Sequence, residues 1–199
     1  MSNVLVFDQV EAPPPSTAQL RLRRLSRALS ILFLVSMIAT VLSVVAWSVL
    51  GLFFGDHVSV GSDGVYLSFP HPARQIPGRV LFSSQPFVTH LAGLVDIVLA
   101  SLPAFFICWH LRGLFKLYAS GIVFARENAA HLKRVGLWLL LYPIARFVAN
   151  MIFQLAGGTD RAWFRGELID ALILGAIVFA IAQVMEFGRE IEQDRAEII

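Results

Sequence analysis

The chain has one cysteine, Cys108, among 199 residues, so no disulfide can form within it, and a small buried hydrophobe is the usual role of such a residue. Charge is scarce as well: only 15% of residues are Asp, Glu, Lys or Arg, and the net charge is +2. That balance is too weak for a nucleic-acid surface, and direct DNA or RNA binding is not expected. No Gly-rich phosphate loop, zinc-ligand spacing or nucleophile elbow appears, so nothing points to an enzyme, a metal or a cofactor. His90 and His110 raise the question of haem, but neither has a histidine partner in another apolar block, which sets that reading aside.

What the chain has in abundance is apolar length. Hydrophobic residues make up 57% of it and mean hydropathy is +0.70, which leaves too little polar surface to cover a soluble globule. Four blocks, 28–55, 87–111, 135–155 and 168–187, each approach the ~20 residues that cross a bilayer as a helix. The expected fold is an all-α integral membrane protein, a four-transmembrane-helix bundle over residues 28–187. Residues 1–27, with Pro13, Pro14 and Pro15, read as a flexible tail, and 188–199 as a second, C-terminal tail. The first block is too long for a signal-peptide core and is read as a retained span.

Orientation follows from basic residues. Arg21, Arg23, Arg24, Arg27, Arg112, Lys116, Arg126, Lys133, Arg134, Arg189 and Arg195 fall on one side, against Arg74, Arg79, Arg161 and Arg165 on the other. Both termini are therefore expected in the cytoplasm. Trp47, Trp109, Trp138 and Trp163 each fall near the end of a span, where an amphipathic ring favours the headgroup level. Pro103 and Pro143 should bend the second and third spans. Small residues, Ala39, Ser43 and Ala46 in the first span and Ala171, Gly175 and Ala176 in the fourth, should allow close helix approach.

The outer loop, 56–86, alternates about a Ser62-Asp63-Gly64 turn and predicts a short extracytoplasmic β-hairpin. Pro70, Pro72 and Pro77 argue against further pairing downstream. The inner loop, 112–134, breaks at Ser120-Gly121 and predicts two amphipathic cytoplasmic helices lying along the membrane surface.

Gly121, Phe124, Glu127, Asn128, Leu132 and Gly136, in the stretch SGIVFARENAAHLKRVG, resemble the pattern after the second span in the bacterial DUF2975 family of membrane proteins. The last span and its acidic tail, EFGREIEQDRAEII, are similar to that family's closing segment, while the N-terminal half matches in architecture alone. The resemblance implies a bacterial inner membrane, no established activity, and a cytoplasmic helix-turn-helix regulator as a partner.

Two charges need explaining, because each is costly within hydrocarbon unless paired. Asp96 lies about 14 Å into the second span and Arg146 about 16 Å into the third, counted from opposite ends at ~1.5 Å per residue. Antiparallel neighbours would bring them level, so an Asp96–Arg146 ion pair is expected, with Asp170 on the fourth span as a second partner. Tyr142, Arg146, Asn150 and Gln154 recur every fourth residue and form one polar stripe. A lock between helices and an ion or ligand path are both open to such a cluster. Glu186, Glu190, Asp194 and Glu197 give an acidic helical face after the last span. These features favour a regulatory or protein-interaction module that docks a cytoplasmic partner. The alternative is a small transporter or channel subunit, which would need a homo-oligomer to enclose a path.

Overall fold

The computed structural model describes residues 17–61, 64–68, 79–122, 125–158 and 166–197. It is mostly helical. Four helices, α1 (Thr17–Phe53), α2 (Phe87–Ala119), α3 (Arg126–Leu155) and α4 (Gly166–Glu197), are long and apolar enough to cross a membrane. A small sheet of β1 (Val58–Gly61), β2 (Gly64–Leu67) and β3 (Arg79–Leu81) lies between α1 and α2 in sequence. The start of the N-terminal tail, Phe124, Trp163 and the last two residues of the acidic tail lie outside the described residues.

The expected hairpin forms, with Val58 opposite Leu67 and Val60 opposite Val65. A third strand pairs on the far edge of β1, setting Ser59 opposite Leu81, although the upstream prolines had argued against it. Pro77 falls before β3, whose own residues Arg79, Val80 and Leu81 carry no proline and can pair freely. Val58 and Ser59 are buried, and Arg79 lies over the Tyr66 ring at 3.5 Å. Histidines tie down this end of the molecule: His57 Nδ1 meets the Ser68 carbonyl at 2.8 Å, and His90 Nε2 the Phe82 carbonyl at 2.6 Å.

At ~1.5 Å per residue, α1 with 37 residues is about 55 Å long and α2 with 33 about 50 Å, against ~30 Å of hydrocarbon. The surplus corrects the expected inner loop. Among the described residues no separate surface helices lie between the second and third spans; α2 runs on to Ala119 and α3 begins at Arg126, so the two form a helical hairpin with a short connection. Continuation satisfies the backbone inside each helix and lets the two extensions pack on each other. Likewise α1 starts at Thr17, about ten residues before the apolar block. Helical backbone continues through Pro103 and Pro143.

The packing order is α1 on α2, α2 on α3 and α3 on α4, and among the described residues α1 and α4 make no comparable contact. The four-helix bundle is thus an open row rather than the compact packing that the small residues of the first and fourth spans suggested. Lipid supplies no hydrophobic drive to close it, so helices meet only where their surfaces fit. On α1, Ala39, Ser43 and Ala46 are exposed, and its hydroxyls bond within the helix: Thr40 Oγ1 donates to the Ser36 carbonyl at 2.9 Å and Ser48 Oγ to Val44 at 2.7 Å. On α4, Gly175 is buried against Leu139 and Leu140, the close approach expected there.

Candidate functional site

The polar residues converge on the seam between α2 and α3. Thr89, Asp96, Pro103 and His110 stand seven residues apart on α2, a spacing that keeps them on one stripe of a helix packed against a partner. Thr89 and Pro103 are fully buried and His110 nearly so. Three of the four meet a polar group of α3, giving polar layers at both ends and in the middle of the seam.

In the middle layer Arg146 Nη1 lies 3.7 Å from Asp96 Oδ2, as the depth of the two residues implied. Their side chains remain 21% and 19% exposed, so the pair is shielded by protein without being sealed from its surroundings. Asn150 is buried one turn further along α3, and Tyr142 and Gln154 are half-buried on the same stripe. Asp170 does not join them. It is exposed on α4, and no ion pair links it to Arg146, because Arg146 faces α2 while α4 meets α3 through Gly136, Leu139 and Leu140.

At the sheet end Thr89 Oγ1 donates to the Ala156 carbonyl at 2.5 Å, satisfying an acceptor that the end of α3 leaves free. At the other end His110 Nδ1 lies 3.3 Å from His131 Nδ1, with ring centroids 5.5 Å apart. One ring must donate and the other accept, so the two share a single bridging proton. His131 falls within the inner loop, 112–134, expected from the sequence, and the extension of α3 is what carries it to His110. Room for its ring comes from Gly113, where a Cβ would stand 2.6 Å from His131 Cε1. The spacing of Thr89, Asp96 and His110 in multiples of seven on α2 was the available sign of this layer. Between the histidine and ion-pair layers, Phe106 stacks on Trp138 at 4.4 Å.

The turn joining α2 to α3 explains most of the family-like motif. Gly121 has φ +89°, a left-handed conformation that suits glycine. Its N–H bonds the Tyr118 carbonyl at 3.0 Å, while that of Ile122 bonds Leu117 at 3.0 Å, the paired bonds of a Schellman cap. Asn128, wholly buried, donates from Nδ2 to the Ile122 carbonyl at 2.9 Å and so ties the cap to the first turn of α3. Glu127 is exposed in that first turn, where a carboxylate suits the helix dipole, and Leu132 is half-buried. Across from the turn, Arg23 Nη2 sits 2.7 Å from where a Cβ at Gly121 would be, so the α1 extension also packs on this corner. Asn128→Ala should lower stability by about 1 kcal/mol, the net worth of the hydrogen bond it removes from the cap, read as thermal unfolding in detergent.

Gly136 closes the motif on the other face of α3. A Cβ there would lie 2.9 Å from the backbone nitrogen of Phe179 on α4. Near this crossing Lys133 Nζ meets Glu186 Oε2 at 3.4 Å, a half-exposed pair worth at most about 1 kcal/mol. Among the described residues no three His, Cys, Asp or Glu side chains group to hold a metal ion. The chemistry of the seam is therefore mutual: acid meets base, imidazole meets imidazole, and hydroxyl meets carbonyl.

Residues 66–199, about two thirds of the chain, match the model of a family described as "Protein of unknown function (DUF2975)". No curated protein matches the chain, and no solved structure does.

Proposed function

The chain belongs to the DUF2975 family, and we propose that it is a multi-pass inner-membrane protein of bacterial type, with both termini cytoplasmic, that serves as a regulatory docking module for a cytoplasmic protein. The observation that supports this reading most is the helical surplus at one end. All four helices continue past their apolar blocks there, so α1 from Thr17, α2 to Ala119, α3 from Arg126 and α4 to Glu197 offer ordered backbone to a partner. Eleven basic residues lie at that end or on its extensions, the bias that holds a segment on the cytoplasmic side. Charge is divided along the row: α1 and α2 end in Arg and Lys alone, whereas in α4 Glu186, Glu190, Glu192, Asp194 and Glu197 outnumber Arg189 and Arg195. Such division favours a partner with its own two-signed surface and fixes the direction in which it docks. A helix-turn-helix regulator, the partner implied by the family resemblance, is the first candidate.

Transport is the second reading, and the Asp96–Arg146 contact weakens it, since each charge neutralises the other. Deleting residues 190–199 discriminates the two. The shortened chain should insert normally and lose capture of a co-expressed helix-turn-helix regulator. Undiminished capture would remove the α4 tail from the docking surface, and ion flux in proteoliposomes that disappears with Asp96→Asn would favour transport instead.

A further inference from the structure

One face of α1 and α2 carries an apolar groove that protein docking leaves unused, beside basic residues that a lipid and a protein partner could share. Between the two helices an apolar groove of about 150 Å³ opens sideways, lined by Thr40, Val41 and Val45 of α1 and by Val98, Ser101 and Phe105 of α2. From this groove each helix continues as a single stripe toward the end that holds the α2–α3 turn. On α2 the steps of three and four residues run Val98, Leu102, Phe105, Trp109, Arg112 and Lys116; on α1 they run Val45, Val41, Ile38, Leu34, Ile31, Arg27 and Arg24. Most of these side chains, Trp109, Lys116, Ile31, Arg27 and Arg24 among them, are exposed. Both stripes therefore pass from hydrocarbon-like side chains to cations at the same end. The Phe33 and Phe115 rings, stacked at 5.7 Å, hold the two basic ends level.

Charge on this face has one sign. Asp96 is the single carboxylate in α1 or α2, and it faces Arg146 on α3. Arg23 is already used against the Gly121 turn, but Arg24, Arg27, Arg112 and Lys116 make no ion pair with another described residue. Arg112 stands about 10–20 Å along α2 from the groove at ~1.5 Å per residue, which compares with the ~15 Å of one leaflet's hydrocarbon. A ligand that fits must carry an anion at one end and an acyl chain about one leaflet long at the other.

We propose that the α1–α2 face holds one anionic phospholipid, its phosphate among Arg27, Arg112 and Lys116 and one acyl chain in the groove between Val41 and Phe105. Guanidinium groups bond phosphate oxygens in pairs, Lys116 adds a point charge, and Trp109 lies between the charged and apolar parts at the level an indole favours.

The full chain, purified in mild detergent, is offered phosphatidylglycerol and phosphatidylcholine of equal chain length, and bound lipid is counted by native mass spectrometry. One phosphatidylglycerol should be retained per chain, with at least tenfold preference over phosphatidylcholine. Arg112→Gln with Lys116→Gln should remove that preference, whereas Arg126→Gln with Arg134→Gln, the same charge change on α3, should leave it. Ser101→Leu, which fills the groove, should weaken retention of both lipids while the protein stays monodisperse and helical. Equal losses from the two charge pairs would overturn the proposal in favour of diffuse surface attraction. Displacement of the lipid by excess inorganic phosphate would overturn it as well, since a site that also holds the acyl chain resists a free anion.

Discussion

Asp96→Leu alone, or Arg146→Leu alone, should destabilise the protein by about 3 kcal/mol, while the double variant should return to within about 1 kcal/mol of the parent. The asymmetry arises from what each change leaves behind. A single substitution strands one charge at mid-depth between α2 and α3, with its former partner 3.7 Å away replaced by hydrocarbon. The double change removes both charges and fills the layer with side chains that suit its neighbours, the buried Ala92, Gly93, Ala149 and Phe153. The residual exposure of about a fifth of each side chain keeps the single-variant penalty at the lower end of the range for broken buried pairs. Reversible unfolding in mixed micelles measures all three. If the double variant is as unstable as the singles, the pair is needed for more than neutrality, and a functional role for Asp96 regains ground.

This contact was legible in the sequence because it depends on few quantities. The helical rise, the ends of two apolar blocks and the antiparallel sense of consecutive spans are enough to set Asp96 beside Arg146. The four helices were legible for the same reason, since their length and apolarity are properties of single segments. His131 was not, because hydropathy marks where hydrocarbon ends and carries no sign of where a helix ends. Helices on both sides of the Ser120-Gly121 break were expected, but as separate surface helices; that they continue the two spans was hidden, because packing between the extensions and backbone bonding outweigh polarity there. The open row was hidden for a different reason. Helix order depends on which faces interlock, and the small residues of α1 gave the same signal as Gly175 on α4 although only Gly175 meets a neighbour closely. Asp170 as a second partner needed the fourth span to face Arg146, and in the open row it is exposed instead.

Gly136→Leu should release α4 from the row while leaving the α2–α3 hairpin intact. At this crossing the obstacle is backbone: the added Cβ would meet Phe179 N at 2.9 Å and Phe179 Cα at 3.1 Å, and neither can swing aside as a side-chain tip could. Gly175 imposes the reciprocal limit, its Cβ position lying 3.0 Å from Leu139 Cβ and 3.1 Å from Leu140 N. Two glycines on facing helices thus set one distance between axes, and overpacking either should cost about 3 kcal/mol, the upper part of the usual range for a tight interior. In a Cys108→Ala background, Lys133→Cys with Glu186→Cys puts two thiols where the Lys133 and Glu186 side chains reach each other, and a bifunctional maleimide long enough to replace those side chains should link α3 to α4. Adding Gly136→Leu should abolish that link, and Gly136→Ala should slow it, because even the first carbon lands on backbone. His110→Cys with His131→Cys, across the α2–α3 seam, should be linked by the same reagent at an unchanged rate in both variants. Retention of the α3–α4 link at the parent rate would mean that α4 is held by its other contacts and that Gly136 is dispensable. Loss of both links together would mean that the crossing supports the whole row, so that α4, the element carrying the proposed docking tail, could not be separated energetically from the charged seam beside it.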